Sequence, residues 1–259
     1  MPSERPSTKC EKGKEVHVKD VTRIYIIRHG ETDNNKLHRF IGSTDHPLND
    51  RGQAQAASLN APFSQIHVDR IYASPLKRTM MTAEGVRAGR DIPVIKVPGI
   101  REIECGQWEG LNREEIEKRW PGQIDLWQFH PAKLHMEGGE TLAQVQRRAV
   151  EAFLDIVEKE RGNSVAVVSH MLTIQLIMCG LLGIDIDDVW RMVQLENTSI
   201  TSMDFYPDNT FEVVKWGEAG HLPIELTNAS VKIAGFTKNE APKYDVGVVE
   251  GKHRIAWAG

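Results

Sequence analysis

The segment Ser164-Val-Ala-Val-Val168, followed after Ser169-His170 by the apolar run Met171–Leu182, constrains the fold more than any other stretch of the chain. A short valine-rich segment without a charge predicts a strand covered on both faces. The run after it is too short to cross a bilayer and is interrupted by Thr173, Gln175 and Gly180, so it predicts a helix buried inside protein. A buried strand leading into a buried helix is the unit of a parallel sheet with helices on both sides. The unit recurs. Thr22-Arg-Ile-Tyr-Ile-Ile-Arg28 is a first such strand, Asp69-Arg-Ile-Tyr-Ala73 a second, and residues 92–97 a third. Asn49-Asp-Arg-Gly52 predicts a turn before an alanine-rich helix over 53–59, and Ser74-Pro75 predicts an N-cap with proline at the first position of a helix reaching about Ala88. Thr141 opens a long helix in which Leu142, Val145, Ala149, Phe153 and Ile156 recur every three or four residues. Residues 200–206 and 211–216 flank Pro207-Asp-Asn-Thr210 as a closing hairpin. The expected fold is α/β: a three-layer sandwich with a mostly parallel central sheet and helices on both faces.

The 259 residues fit one large domain better than two. With 40% hydrophobic and 26% charged residues, wholesale disorder is excluded. Lys and Arg number 32 against 36 Asp and Glu, a net charge of −4, which gives no electrostatic reason to expect nucleic acid or an anionic membrane as partner. The partner expected is a small molecule. Cys10, Cys105 and Cys179 are odd in number and far apart, so neither a disulfide framework nor a zinc pattern is expected; a reducing, cytoplasmic setting fits. Residues 1–20 carry Pro2, Pro6 and many charges with no apolar run, which reads as a mobile tail without a signal peptide. The main domain is expected over 21–225. Within it, residues 104–140 are polar and aromatic, with a short helix after Asn112, and Trp108, Trp120 and Trp127 are expected to pack a roof over a pocket. Residues 226–259 read as an appendage, in which 231–236 and 246–249 read either as short strands or as chain lying over the core, and the stretch near 246–249 could cover the core or pair with another subunit in a homodimer.

Four features fall at the carboxyl ends of expected strands or the starts of the helices after them, where open α/β sheets place ligands. Arg28-His29-Gly30-Glu31-Thr32 ends the first strand; its glycine lets backbone approach an anion and its arginine offers a planar fork of donors. Arg78 lies on the first turn of the helix after Ser74-Pro75, where helix N–H groups favour a phosphate. Glu102 stands in Gly99-Ile-Arg-Glu-Ile-Glu-Cys-Gly-Gln-Trp-Glu-Gly110, and spacing alone does not separate it from Glu104. Ser169-His170 follows the fourth strand. Singly, each has an ordinary structural reading: a polar strand end, an exposed helical arginine, a surface carboxylate, a capping histidine. Their order and context together do not.

In that order, with Asn35, Ser74-Pro-Leu-Lys-Arg78-Thr79, Thr82-Ala-Glu84, Gly138-Gly-Glu-Thr141, Asn197-Thr-Ser-Ile-Thr201 and His221-Leu-Pro223, the sequence resembles the histidine phosphatase superfamily, the phosphoglycerate-mutase-like group, over roughly residues 21–225. The resemblance implies His29 as nucleophile, Arg28 and Arg78 as phosphoryl-binding cations and His170 completing the pocket. Glu102 is the candidate proton donor to the leaving group, and Asn35 and Met171 are expected to contact substrate. An imidazole attacks phosphorus only when neutral, and two neighbouring arginines lower its pKa. The implied activity is metal-independent hydrolysis of a small phosphorylated metabolite, with no cofactor and no metal.

Three positions depart from the family pattern: Asn34 stands where an aromatic residue is frequent, Ile41 where glutamine is, and Met171 where glycine usually follows the second histidine. The weighed alternatives are a phosphoglycerate-mutase-type phosphotransferase and a non-catalytic phosphate-binding protein. Against the mutase, the stretch from Trp108 to Gly138 is short, and Arg113, Lys118, Arg119 and Lys133 are balanced by Glu114, Glu115, Glu117 and Asp125. His130 and His135 are expected as exposed loop residues, Cys105 near the site without a nucleophilic role, and Glu31 as an organiser of the loop around His29.

Overall fold

The computed structural model describes residues 20–227 and 253–254. Seven strands, β1 (Thr22–Arg28), β2 (Arg70–Ala73), β3 (Val94–Lys96), β4 (Ser164–Ser169), β5 (Ile200–Phe205), β6 (Thr210–Glu218) and β7 (His253–Arg254), form one mixed sheet in the order β3-β2-β4-β1-β5-β6-β7. The first four are mutually parallel, and β5, β6 and β7 extend the sheet antiparallel from β1. Eight helices accompany it among the described residues: α1 (Asp33–Lys36), α2 (Asp50–Ser58), α3 (Asn60–Gln65), α4 (Lys77–Arg87), α5 (Arg113–Arg119), α6 (Gln123–Phe129), α7 (Leu142–Lys159) and α8 (Met171–Leu182).

The two-residue period of the strands builds two cores. Ile24, Ile26, Val165 and Val167 face α7 and α8, meeting Ala149, Phe153, Ile174 and Ile177. Ile27, Ala166 and Val168 face the other way, against Leu59, Phe63, Ala83 and Val86 of the α2–α4 layer. A third cluster, including Trp108, Ile116, Leu142 and Leu176, joins residues 103–136 to α7 and α8. The expected roof is therefore a packed part of the same body.

Several local expectations shift. The turn at Asn49 is already helical, because Asn49 caps α2 by accepting from the Gly52 N–H at 2.8 Å. The third strand shortens to Val94–Lys96; among the described residues it is a sheet edge paired only with β2. The helix after Ser74-Pro75 starts at Lys77 and has no side-chain cap, since Ser74 is drawn to another partner. The segments 231–236 and 246–249 lie outside the described residues, as do Cys10 and residues 1–19. No helix among the described residues is long and apolar enough to cross a membrane.

Candidate active site

Strand β4 lies between β1 and β2 with Arg28 opposite Ser169 and Ala73 opposite Val168, so three parallel strands end at one edge. This order brings residues distant in sequence together: His29 after β1, Ser74 after β2 and His170 after β4. The rings of His29 and His170 meet edge to face with centroids 5.1 Å apart.

His29 is held as a neutral imidazole of one tautomer. Its Nδ1–H donates to the Gly30 carbonyl at 2.6 Å, which leaves the lone pair on Nε2. Burial, then Arg78 and Arg28, push its pKa well below the ordinary histidine value. The backbone around it is clamped. Asn197 Nδ2 donates to the His29 carbonyl at 2.9 Å, and the Thr198 N–H donates to the Arg28 carbonyl at 3.0 Å. Thr198 makes that contact at a φ of 60°, a left-handed conformation that a β-branched residue rarely adopts.

Arg78 is buried and held by three hydrogen bonds, which leave one N–H on each Nη. Its Nη1 and Nη2 donate to the carbonyls of Thr44 at 2.9 Å and Gly42 at 2.7 Å, and its Nε donates to His170 Nδ1 at 3.2 Å. Because that bond takes the lone pair of Nδ1, His170 carries its hydrogen on Nε2 and donates it to Ser74 Oγ at 2.8 Å. His170 is 0% exposed, and its pKa is lowered by burial, then by Arg78 and His29. It packs against the His29 ring and Arg78 and is not among the residues that line the cavity over His29. Arg28 bonds the Leu195 carbonyl through Nη1, while its Nε is buried with no hydrogen-bond partner among the described residues. Burial lowers its pKa to about 10. An unpaired buried donor beside a second arginine is a place for an anion.

Glu102 faces the same cavity. Its Oε1 accepts from the Ile103 N–H at 3.1 Å and lies 2.9 Å from Thr173 Oγ1, so Oε2 is the oxygen left for a ligand. Burial raises its pKa, with Arg78 and these hydrogen bonds opposing. The loop carrying it is pinned by Arg148, which donates to the carbonyls of Gly99, Arg101 and Glu102 and pairs with Glu140 at 2.7 Å. Glu104 is on the outer side of that loop, bridged to Arg101.

A cavity of about 290 Å³ opens over Arg28, His29, Arg78 and Glu102. Its lining holds four arginines (Arg28, Arg39, Arg78 and Arg113) against one carboxylate, so a chain of net charge −4 carries a locally cationic pocket. Asn35 and Met171 line it; Asn35 spends its Oδ1 on the Thr32 N–H and hydroxyl, which leaves Nδ2 for a ligand. Cys105 also lines it, with a thiol that burial pushes well up, which suits no nucleophile. His130 and His135 are exposed and outside the lining. Glu31 organises the loop as expected, accepting from Asn49 and Arg51 at 2.9 Å each.

Gly30 is needed for a reason other than anion approach. Its N–H goes to Thr82 at 3.0 Å, and a Cβ there would sit 2.6 Å from the Gly52 carbonyl oxygen. Sequence reasoning quoted Ser74, Thr82 and Asn197 in the motifs of the resemblance but gave them no part in the site, and it missed Thr173. Ser74 and Thr173 had competing local readings, as a helix cap and as a polar break in an apolar helix. No group of three or more His, Cys, Asp or Glu side chains able to hold a metal occurs among the described residues.

The family profile of the histidine phosphatase superfamily (branch 1) matches residues 24–219. Phosphoserine phosphatase 1 of Hydrogenobacter thermophilus is 38% identical over 171 residues, which are 66% of this chain and 81% of that protein. The solved structure of Bacillus stearothermophilus YhfR superposes with a TM-score of 0.74 at 33% identity, covering 77% of this chain and 98% of that one. An Entamoeba histolytica phosphoserine phosphatase mutant in complex with phosphoserine gives 0.69 at 29% identity, covering 78% and 100%. The profile spans the strands and helices that carry His29, Arg78, Glu102 and His170, and the chain belongs to the histidine phosphatase superfamily, branch 1.

Proposed function

We propose that the protein hydrolyses a small phosphomonoester in two steps through a phosphohistidine on His29. The observation that carries this reading is a neutral imidazole, its Nδ1–H tied to the Gly30 carbonyl and its Nε2 free, between two buried arginines. In the first step His29 Nε2 attacks phosphorus as the ester P–O bond breaks. Arg28 and Arg78 hold the phosphoryl oxygens, and Arg28 Nε finds its acceptor there. The leaving alkoxide takes a proton from Glu102, whose raised pKa keeps that proton available. In the second step water attacks the phosphohistidine, Glu102 accepts its proton, and phosphate leaves with His29 neutral again. His170 acts as a positioning residue, steering Arg78 through Nδ1.

Hydrolysis is favoured over mutase chemistry by the outer cavity. Retaining a bisphosphate calls for several cations beyond Arg28 and Arg78, but Lys118, Arg119 and Lys133 do not line the cavity and Arg39 is paired with Glu115 at 3.1 Å, which leaves Arg113, bonded to Gln128, as the further outer cation. The test is phosphate release from a panel of phosphomonoesters with chelator present, comparing the parent with His29→Ala. Release in the parent that disappears in the variant is the expected result. Release dependent on added bisphosphoglycerate would favour the mutase, and a variant indistinguishable from the parent would end the phosphohistidine reading.

A further inference from the structure

We infer that the outer part of the cavity selects phosphomonoesters whose alcohol carries an aromatic or branched aliphatic body, with Ile41 and Met171 as the selecting side chains. The inference rests on the phosphatase reading above and concerns only what lies beyond the phosphorus.

Ile41 and Met171 both line the cavity, and each is one residue from a group that holds Arg78. Ile41 precedes Gly42, whose carbonyl accepts from Arg78 Nη2 at 2.7 Å; Met171 follows His170, whose Nδ1 accepts from Arg78 Nε. An ester oxygen leaving the phosphoryl site therefore enters a cavity whose lining includes these two apolar side chains. The backbone that carries each of them is held. Phe40, next to Ile41, is fastened by a hydrogen bond from its N–H to the Leu111 carbonyl and one from the Gly110 N–H to its own carbonyl, both at 2.8 Å. The Gly42 N–H is held by Glu109, and a Cβ on Gly42 would meet the Ile103 carbonyl at 1.9 Å, so that segment has one path. Met171 is the first residue of α8 and packs against the core.

Beyond this pair the wall is aromatic. Phe40 and Trp127 meet edge on at 5.2 Å, and Trp127 and Trp190 at 4.6 Å, with Trp190 Nε1 donating to the Trp127 carbonyl at 2.6 Å. Phe40, Trp127 and Trp190 are each only partly buried, so they keep apolar surface available in the cavity they line. Of the polar groups nearby, Arg39 bonds Gly110 and Glu115 and Arg113 bonds Gln128 at 3.2 Å, while His38, Gln194 and Asn35 Nδ2 line other parts of the cavity. Hydroxyls of a polyhydroxylated alcohol that face Ile41, Met171 and the rings would be left unpaired, whereas an apolar body gains contact there.

The experiment measures kcat/KM of the full chain for 2-phenylethyl phosphate and glycerol 1-phosphate, both esters of primary alcohols, so the comparison reports the pocket more than the leaving group. The parent is expected to prefer the phenylethyl ester by at least about 10-fold, the discrimination one or two apolar contacts can supply. Ile41→Gln and Met171→Ser are each expected to cut that ratio several-fold, mainly through KM for the phenylethyl ester. A parent ratio near one, or a preference for glycerol phosphate, overturns the inference even if neither variant folds. A parent preference left intact by both folded variants removes Ile41 and Met171 as its source and overturns their role. Absence of release from both esters overturns the phosphatase reading itself, an outcome distinct from hydrolysis without preference.

Discussion

Thr173 Oγ1 lies 2.9 Å from Glu102 Oε1 and 2.8 Å from the Arg101 carbonyl oxygen, so one hydroxyl hydrogen faces two acceptors. Both residues are buried. The hydroxyl can donate to the carboxylate when Glu102 is ionised and turn to Arg101 when it is protonated, which leaves neither charge state with an unmet buried group. A residue that must give and retake a proton in each turnover needs that tolerance.

Thr173→Val removes a donor that favours the charged carboxylate, so the Glu102 pKa rises further. Because the protonated acid is the form that serves the first step, the alkaline limb of the pH profile of kcat/KM is expected to move to higher pH. With the carboxyl less well held, kcat is expected to fall about 10-fold, a part of the about 10²–10⁴-fold that general acid catalysis supplies. Thr173→Ser should restore both. A valine variant with the parent profile and only a lower melting temperature would reduce Thr173 to a packing role.

Glu102→Gln keeps the shape of the side chain and removes the proton. For an alkyl phosphate, whose alkoxide cannot leave unprotonated, the expected loss in kcat/KM, which reports only as far as formation of the phosphohistidine, is about 10²–10⁴-fold. For p-nitrophenyl phosphate, whose phenolate needs no proton, the loss is expected to be much smaller. Measuring both esters on one preparation separates proton donation from misfolding. Equal losses on the two would mean that Glu102 is not the acid.

What could be read from the sequence was local. The two-residue and three-to-four-residue periods located both cores, since a strand or helix shows its buried face in its own residues. Thr141 was legible because its capping box with Gln144 closes within three residues. The placement of Arg28, His29 and Arg78 also followed, because strand ends in a parallel sheet converge on one edge. What stayed hidden depended on partners far along the chain. Ser74 lies 96 residues from His170, and that tertiary bond overrides the helix-capping habit of a Ser-Pro pair. Thr173 lies 71 residues from Glu102, so its position in an apolar helix looked like an interruption. Gly30 meets Gly52 because α2 packs against the loop, a contact no motif records.

Ser74→Ala tests the outer end of the chain from Ser74 through His170 to Arg78. The His170 Nε2–H would lose its acceptor inside a fully buried site, at a cost of about 1–3 kcal/mol. For a chain of this size each kcal/mol corresponds to a melting shift of roughly 2–4 °C. Beyond stability, Arg78 loses a fixed neighbour, so kcat is expected to fall several-fold with KM rising less. Lower stability with kcat intact would confine His170 to a structural part.

The acid side of the stability profile follows from the histidines. Burial, the largest cause in each case, holds His29, His170 and His221 below the ordinary value of 6.5. As pH falls through that value the unfolded chain takes up protons that the folded chain refuses, so stability present above it is lost toward the folded values. Each such histidine contributes a slope of up to about 1.4 kcal/mol per pH unit. Glu102 acts in the opposite sense: its folded pKa lies above 4.5, so the fold gains from its proton at low pH and loses that gain as pH rises through the raised value. Asp69 and Glu140, whose pKa values are lowered, lose their contribution only as pH falls through the carboxylate range. The upper acid window therefore belongs to the histidines, partly offset by Glu102. Urea unfolding in small steps from about pH 7.5 to 5 should show falling stability, and His170→Gln should flatten the slope by up to about 1.4 kcal/mol per unit. The slope is the readout, so a uniform loss of stability in the variant does not disturb it. A slope unchanged by that substitution would mean that His170 does not titrate between the folded and unfolded states in this window.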